Sequence, residues 1–400
     1  MSNTKIISYP VKTELYDEDD FLKDCPNSKF IPTTLPAVKR IIAIGDIHGD
    51  LKLAIDSFKL ANLIDDNYNW IADPPDTVVV QVGDQIDSCR PIPNVYECNR
   101  QKYPGDKAED MNVINFFDDM KKKAQRVGGE VYSLFGNHEL MNSQGRFQYV
   151  SYENYNNFEY DNYRGPNGRK NAFKPGGPLA SKLACNRSSV IVIGSTMFAH
   201  AGVLPVLAKR IDYLGFDSDV KLKYLNAVVR KWLLNKLSDR DKDSKDLFIN
   251  DTTVSPFWNR IYGSIPPDQN IDSNDCYSVV QKTIEVYKIG QIVVGHTPQI
   301  YTNKNGINGT CYEKGKNNRL YRVDGGFSRA FSIFGNQGLI QVLEIIDDTT
   351  FNIITDRTIE EYVEPTDINI NDRQMKEVAY IYSQNRPNVN PKAYPKNKLS

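Results

Sequence analysis

Four histidines are the residues of this 400-residue chain best suited to metal chemistry, and all four share one local context. His48, His138, His200 and His296 each follow a short run rich in branched residues and have a glycine within two positions. A single histidine in such a place is more often an ordinary core or surface residue. Four out of four indicate a common role, and imidazole is the commonest metal ligand in proteins.

Oxygen ligands accompany these histidines. Asp46 lies just before His48, Asp84 follows the next apolar run, and Asn137 directly precedes His138. Imidazole, carboxylate and amide groups together suit borderline divalent ions such as Mn, Fe and Zn, and the motifs contain no cysteine of the kind that a closed zinc site uses. These ligands are too many for one tetrahedral ion, whereas two ions roughly 3.5–4 Å apart would use them all.

Buried strands are predicted directly before these polar groups. The apolar runs have the length and composition of such strands and occupy 39–44, 77–84, 130–137, 190–193, 196–200 and 291–296. Helical spacing of apolar residues occurs at 51–61, 110–126, 221–237 and 277–288, and a closing hairpin is predicted at 339–345 and 350–354. Alternating strands and helices favour an α/β fold, in which ligands bind beyond the carboxyl ends of the strands. We therefore expect the polar groups at one edge of a sheet.

The remaining sequence indicates the domain limits, the binding partners and the cellular location. We predict an N-terminal extension over 1–39, a catalytic domain over 40–355 and a C-terminal extension over 356–400 that is flexible at its end. The net charge of −1 gives no electrostatic case for nucleic acid or an anionic membrane. Because neither a membrane-spanning run nor a signal peptide is recognisable, a cytoplasmic protein is expected.

The six cysteines are expected to be free thiols. They contain no C-x-x-C pair, and without a secretory signal reduced cysteine is the ordinary state. Cys89 lies near the candidate site, where an inert thiol is favoured over a redox-sensitive one.

Five short motifs, in this order, resemble those of the calcineurin-like metallophosphoesterases. They are GDIHGD (45–50), GDQID (83–87), GNHE (136–139), HAG (200–202) and GHT (295–297). Within that superfamily the set is similar to the Ser/Thr phosphoprotein phosphatases. The stretches RKNAFKPGGPLA (169–180) and PFWNR (256–260) resemble the Shewanella-like protein phosphatase branch, and the similarity extends over about 40–345.

The resemblance implies a four-layer αββα sandwich in which two mixed β-sheets are flanked by helices. It also implies a ligand set for two divalent ions, with manganese expected and iron or zinc as alternatives. One ion would be held by Asp46 and His48, and Asp84 would bridge to the second. The second would be completed by Asn137, His200 and His296.

Further roles follow from the same resemblance. His138 would be the general acid for the leaving alkoxide, oriented by Asp87. Arg260 is the candidate phosphate clamp, because a guanidinium fork fits two phosphate oxygens. The family's usual Asp-Arg-Gly is here Asp87-Ser88-Cys89-Arg90, so Arg90 is displaced along the chain and is a second candidate for phosphate binding.

The predicted activity is phosphate monoester hydrolysis on a phosphorylated substrate, with a phosphoprotein favoured. Two metals would lower the pKa of a bridging water, which attacks phosphorus in line with the leaving oxygen. Pro298 stands where phosphodiesterases and nucleases carry a second histidine, which favours the monoesterase side. The alternatives are a nucleotide or dinucleoside polyphosphate hydrolase and a non-catalytic scaffold; no regulatory partner can be predicted.

Three other segments have both a structural and a functional interpretation. The insertion at about 88–109 is expected to be a surface loop rather than a wall of the cleft, since loops tolerate insertions. The segment 149–163 is expected to be an exposed loop beside the site rather than a stacking platform. The helix around Trp232 is expected to pack on the core rather than cap the cleft.

Overall fold

The structure is a computed structural model that describes residues 17–91, 97–103, 105–301, 304–334 and 339–356. Apart from residue 356, the predicted C-terminal extension lies outside the described residues, as do residues 92–96 and 104 of the predicted insertion. In the part of the chain that the structure describes, no helix has both the length and the apolar character needed to cross a bilayer.

Two six-stranded sheets form the centre of the molecule, and a separate two-stranded ribbon lies outside them. The strands are β1 Thr34–Leu35, β2 Arg40–Ile44, β3 Val78–Gln81, β4 Glu130–Leu134, β5 Glu159–Tyr160, β6 Tyr163–Arg164, β7 Arg187–Ser188, β8 Val190–Ile193, β9 Thr196–Ala199, β10 Gln291–Val294, β11 Asn308–Tyr312, β12 Asn318–Arg322, β13 Gln341–Ile346 and β14 Thr350–Thr355. The strands predicted from the apolar runs and the closing hairpin are thus confirmed.

Helices lie between most of these strands. They are α1 Glu18–Asp24, α2 Leu51–Leu60, α3 Asp110–Gln125, α4 Asn137–Ser143, α5 Tyr152–Asn156, α6 Gly165–Phe173, α7 Pro178–Asn186, α8 Pro205–Arg210, α9 Ser218–Leu233, α10 Lys242–Lys245, α11 Ile261–Ser264 and α12 Lys282–Tyr287. The four predicted helices correspond to α2, α3, α9 and α12, and the last of these is preceded by a π-helical turn at Cys276–Gln281.

Both sheets contain parallel and antiparallel neighbours. Sheet I has the order β14-β13-β2-β3-β4-β7, with β2, β3, β4 and β7 parallel and β13 antiparallel to β2. Sheet II has the order β1-β8-β9-β10-β12-β11, with β9, β10 and β12 parallel. The prediction of two mixed sheets is confirmed.

The alternation of side chains along sheet II defines the layers. Val190 and Val192 pack in one apolar cluster with residues of α7 and α9, whereas Ile191 and Ile193 pack in a second cluster with β2 and β3 of sheet I. Successive side chains of a strand point to opposite faces, so sheet II has helices on one face and sheet I on the other. The second cluster also contains apolar residues of α2 and α3, which cover the far face of sheet I. This is the four-layer αββα sandwich.

The strands that carry the candidate ligands end at the junction of the two sheets. Strands β2, β3 and β4, in sheet I, precede Asp46, Asp84 and Asn137, whereas β9 and β10, in sheet II, precede His200 and His296. The expectation of one sheet edge is therefore wrong, because the carboxyl ends of strands from two packed sheets converge. A sequence pattern gives the strands but not their assignment to sheets.

The expectation of free thiols is wrong, because all six cysteines are paired. Cys25 bonds to Cys185, Cys89 to Cys98 and Cys276 to Cys311. Two of the pairs are separated by 160 and 35 residues, so only the fold brings them together. The first joins the segment after α1 to α7, and β1 adds to the edge of sheet II, so residues 17–39 of the predicted N-terminal extension pack on the sandwich, whereas residues 1–16 lie outside the described residues.

Trp232 packs against the cluster that joins sheet II to its helices, which confirms core packing for α9. The segment 149–163 differs from the expected exposed loop. It folds into α5 and contributes β5 to the small antiparallel pair with β6. Asn154 of this segment is buried, because its side chain bonds to Ser88, Ser151 and the backbone amide of Asp110.

Candidate metal centre

The turns that follow the strands place their functional residues in an unusual backbone conformation. His48, Asp84, Asp87 and His296 have φ values of 48°, 55°, 72° and 66°. Residues other than glycine rarely adopt positive φ, and such residues cluster at functional sites, where the surrounding structure holds the strain. The backbone amides of Ile47 and His48 donate to the Asp84 carbonyl, 3.0 and 2.9 Å away, and so tie the first two turns together.

Two glycines are required by the closeness of these turns. A Cβ atom on Gly136 would collide with Oδ1 of Asp84, and one on Gly295 would collide with Oδ1 of Asp46. Glycine therefore allows the backbone of one motif to approach the carboxylate of another. The glycine beside each ligand, visible in the sequence, has at these two positions a direct steric reason.

Asp84 is the centre of the site. Its Oδ2 lies 3.3 Å from Nε2 of His200 and 3.8 Å from Nε2 of both His48 and His138. Two groups of buried side chains that could each hold an ion, His48-Asp84-His138 and Asp84-His200-His296, share this carboxylate. Within each group the ligand atoms lie within 4.8 Å of one another.

The other two predicted ligands lie in the same cluster. Oδ1 of Asn137 is 2.9 Å from Nε2 of His200, and Oδ2 of Asp46 is 3.8 Å from Nε2 of His48. Asp46 also accepts the backbone amide of His296 at 3.1 Å, a bond that joins sheet I to sheet II. The fold therefore brings all six predicted ligands together, and all are buried.

Backbone carbonyls fix the three histidines predicted as ligands, each through one ring nitrogen. Nδ1 of His200 lies 2.9 Å from the Val82 carbonyl, Nδ1 of His48 lies 3.3 Å from that of Ile86, and Nε2 of His296 lies 3.0 Å from that of Trp258. Each ring thus keeps its other nitrogen for the centre, an arrangement that orients metal-binding histidines and sets their tautomer.

The electrostatics of the site suit cations. Burial, with the guanidinium of Arg90, holds the pKa of His48 well below its usual value, and burial with Arg260 does the same for His296. Both rings are therefore neutral at pH 7 and offer a lone pair. Burial alone would raise the pKa of Asp84, but the imidazoles of His200 and His138 outweigh it and hold that pKa well below its usual value.

Asp324 is a further acidic residue that the sequence motifs did not identify. It follows β12 of sheet II, it is buried, and its Oδ2 has no hydrogen-bond partner among the described residues. Burial raises its pKa to about 6, and Asp84 acts in the same direction. Burial, Asp324 and Asp84 likewise raise the pKa of Asp46 well above its usual value. Three buried carboxylates and an unsatisfied oxygen fit a site that holds positive ions.

Glu139 was also not identified as a site residue, although it lies in the GNHE motif. Its carboxylate accepts the backbone amides of Gly136, Asp84 and Gln85 at 2.7, 3.1 and 2.8 Å. It thereby caps the start of α4 and fixes the turn that carries Asp84. A Glu three residues after a strand-terminal glycine is a capping signal that could have been recognised.

His138 is held differently from the other histidines. Its Nδ1 lies 2.9 Å from Oδ2 of Asp87, and its backbone amide donates to Oδ1 of Asp84 at 2.9 Å. The Nε2 atom, 3.8 Å from Asp84, faces the centre and is free of Asp87. This geometry suits either an acid beside the centre or a ligand to it.

Two arginines act on the candidate ligands, Arg90 on His48 and Arg260 on His296. Arg90 donates to the carbonyls of Asp87 and Cys89 at 3.1 and 2.8 Å, and its guanidinium lies 4.4 Å from the centre of the Phe331 ring. Arg260 donates to the His296 carbonyl at 3.0 Å. The displaced Arg90 thus still reaches the site, since its charge acts on His48 as that of Arg260 acts on His296.

A sequence model described as calcineurin-like phosphoesterase matches residues 39–299. The chain therefore belongs to the calcineurin-like phosphoesterase family. An uncharacterised protein of Acanthamoeba polyphaga mimivirus is 63% identical over 248 residues, which are 60% of this chain and 98% of that protein. Shewanella-like protein phosphatase 2 of Arabidopsis thaliana is 27% identical over 84% of this chain and 83% of its own length.

Solved structures agree with the fold. The cold-active protein-tyrosine phosphatase of a psychrophilic Shewanella species superposes with a TM-score of 0.55 at 18% identity, over 82% of this chain and 83% of its own. At that level of identity the likeness concerns the sandwich alone.

Replacing Asp324 with asparagine should stabilise the metal-free protein at neutral pH. The folded-state pKa of about 6 exceeds the usual 3.8, so ionisation of Asp324 opposes folding. This penalty is absent below about pH 4 and complete above about pH 6; it amounts to roughly 3 kcal/mol at pH 7.5 and roughly 1 kcal/mol at pH 4.5. Urea unfolding of the EDTA-treated Asp324→Asn protein at the two pH values measures the difference.

The exposed Asp66, replaced in the same way, is the control and should change stability little at either pH. A loss of stability at pH 7.5, or an equal gain at both pH values, would contradict the account of Asp324 as an uncompensated buried acid.

Proposed function

We propose that the chain is a dinuclear metal-dependent phosphomonoesterase that acts on phosphoproteins. The observation that carries the proposal is the Asp84 carboxylate, which two buried groups of potential ligands share. A carboxylate between two ligand groups is what a pair of ions a few ångströms apart requires. Membership of the phosphoesterase family supports the same chemistry.

The ligands divide into two sets around that carboxylate. Asp46 and His48 would complete one ion's coordination, and Asn137, His200 and His296 the other's. Nitrogen and oxygen donors without thiolate favour manganese, with iron or zinc as alternatives. When bound, the two ions supply an activated water and positive charge against the phosphoryl oxygens.

The protein's own residues have complementary tasks. Arg260 and Arg90 bind phosphoryl oxygens, since a guanidinium donates two parallel hydrogen bonds. His138 gives a proton from Nε2 to the leaving oxygen while Asp87 holds its Nδ1–H. The separation of 2.9 Å between Nδ1 and the Asp87 carboxylate supports this assignment, because a hydrogen bond there fixes the tautomer and the orientation of the ring.

The preference for a phosphoprotein rests on the relatives. The Arabidopsis relative is named a protein phosphatase, and the fold neighbour from Shewanella a protein-tyrosine phosphatase. A nucleotide or dinucleoside polyphosphate hydrolase is the alternative. The purified protein, loaded with Mn, Fe or Zn in turn, should release phosphate from phosphoserine, phosphothreonine or phosphotyrosine peptides faster than from nucleotides. Higher kcat/KM on diadenosine tetraphosphate would favour the alternative, and no turnover on any substrate would favour a scaffold.

Asp84→Asn should weaken both metal sites together. The amide retains one oxygen but loses the negative charge that two ions would share. Metal content by mass spectrometry after equilibrium dialysis should fall from about two ions per chain toward zero, rather than to one. His296→Ala is the matched comparison and should reduce mainly one site. A wild-type protein that is fully active with one ion would contradict the dinuclear proposal.

His138→Asn separates proton transfer from metal binding. We expect unchanged metal content and folding, with hydrolysis of phosphoserine peptides slowed by about 10²–10⁴-fold, the usual contribution of a general acid. An activated aryl phosphate should be slowed less, because its leaving group needs less protonation. Asp87→Asn should give a milder form of the same pattern. Equal loss on both substrates together with loss of metal would identify His138 as a ligand instead.

A further inference from the structure

Arg169 lies on α6 with its side chain completely buried, in the 169–180 stretch that neither the metal ligands nor the phosphate clamp use. Its Nη2 donates to Oδ1 of Asp87 at 3.1 Å and to Oδ2 of Asp110 at 2.8 Å. Its Nε donates to Oδ1 of Asn142 at 2.7 Å, and its Nη1 to the Asn154 carbonyl at 3.3 Å. Every branch of the guanidinium is thus committed to the protein interior.

These contacts determine where the Asp87 carboxylate points. Its Oδ1 accepts from Arg169 and from Nδ2 of Asn142, and its Oδ2 accepts from Asn142 as well as facing Nδ1 of His138. Asn142 is itself held by Arg169 through its amide oxygen. Rotation of Asp87 away from His138 would break contacts with both partners.

The backbone of Asp87 belongs to the same network. Its amide donates to Oδ1 of Asp110 at 3.1 Å, while the other oxygen of Asp110 accepts from Arg169. Asp87, Arg169 and Asp110 therefore form a closed ring of hydrogen bonds. The ring holds a residue whose φ of 72° is unfavourable for aspartate and would otherwise relax.

We propose that Arg169 is a positioning residue for phosphoester hydrolysis, which acts through Asp87 to hold the His138 ring in the orientation that delivers its proton. The inference rests on the proposed function, in which His138 is the general acid. Outer partners of this kind fix the ring plane and tautomer of a functional histidine, and their loss commonly reduces activity by about 10–100-fold.

The charges explain why an arginine is needed at this position. Asp87 and Asp110 are two buried carboxylates that share Arg169 as their cationic partner. Burial raises the pKa of Asp110 to about 6, although Arg169 opposes that shift. A buried carboxylate pair without a cation is strongly destabilised, and a lysine ammonium, with three N–H donors at one point, cannot reproduce the four directed contacts of this guanidinium. The rings of Phe158 and Phe173, 5.6 and 5.1 Å from the guanidinium carbon, further fix it.

A purely structural arginine and a positioning arginine predict different kinetics. Arg169 is fully buried and contacts no surface that a substrate could reach, so its replacement should leave KM nearly unchanged. A positioning role predicts a loss in kcat that grows as the leaving group becomes poorer. A structural role predicts loss of folded protein with the same kcat on every substrate for the fraction that remains folded.

The experiment compares Arg169→Ala and Arg169→Lys in the full chain, loaded with manganese, on a phosphoserine peptide and on an activated aryl phosphate. We expect kcat of Arg169→Ala to fall by about 10–100-fold on the peptide and by less than about threefold on the aryl ester. Arg169→Lys should lie between this variant and the wild type. Metal content should be unchanged.

Two further measurements make the result specific. In a double-mutant cycle with Asp87→Asn, the double variant should be no slower than Asp87→Asn alone, because Arg169 acts through that residue. Arg230→Lys is the matched control. Arg230 is also buried but donates to the backbone carbonyls of Ala184 in α7 and Arg187 in β7, and its replacement should leave the ratio of the two substrates unchanged.

Fully additive losses in the cycle, or an equal fall on both substrates, would overturn the positioning role. If the loss of kcat in His138→Asn does not depend on the leaving group, His138 is not the general acid and the proposed function fails on that point. If the loss in His138→Asn depends on the leaving group but the loss in Arg169→Ala does not, only the positioning role of Arg169 fails. Should Arg169→Ala not fold, the double variant Arg169→Met, Asp110→Asn replaces it, because it removes one buried carboxylate together with the cation. It is judged by the same ratio of kcat on the phosphoserine peptide to kcat on the aryl phosphate.

Discussion

A single buried carboxylate, that of Asp84, sets the requirements that the surrounding structure meets. It lies within 3.3–3.8 Å of three imidazoles, and its own backbone is in the left-handed region. A charge so far from water must be compensated by nearby groups or by ions. Glu139 fixes its turn, Gly136 makes room for its oxygen, and the neighbouring motif bonds to its carbonyl. The residues of the motifs therefore position this carboxylate as well as offering candidate ligands.

Around this centre the four histidines differ in the group that one ring nitrogen of each contacts. His48, His200 and His296 face backbone carbonyls, which carry only partial charge. His138 faces a full carboxylate, which is in turn bound to a guanidinium and an amide. The same side chain thus has a carbonyl oxygen as its second contact at three positions and a carboxylate at the fourth. The difference lies in the second layer of contacts and is invisible in the motifs themselves.

The sequence could predict features that depend on a few consecutive residues, and it could not predict contacts between residues far apart in the chain. Strand and helix positions followed from apolar periodicity, and the polar candidates followed from glycine-flanked strand ends, because both are properties of a few consecutive residues. The division of these candidates into six ligands and one acid came from the family resemblance. Asp324 follows β12 and precedes Gly325 and Gly326, so it has the same local pattern, but it lies outside the five motifs, and its place at the site comes from β12 lying next to β10 in sheet II. The partnership of Arg169 with Asp87 spans 82 residues, and that of Cys25 with Cys185 spans 160. Contacts across such distances are decided by the packing of layers, which periodicity does not encode.

The six predicted ligands come from both sheets. Asp46, His48, Asp84 and Asn137 follow strands of sheet I, and His200 and His296 follow strands of sheet II. Two metal ions bound there would cross-link the two central layers of the sandwich. Separation of the sheets would then require release of the ions, so bound ions would oppose that separation. Amide hydrogens in β3 and β10, far apart in sequence, would be protected together by the same ions.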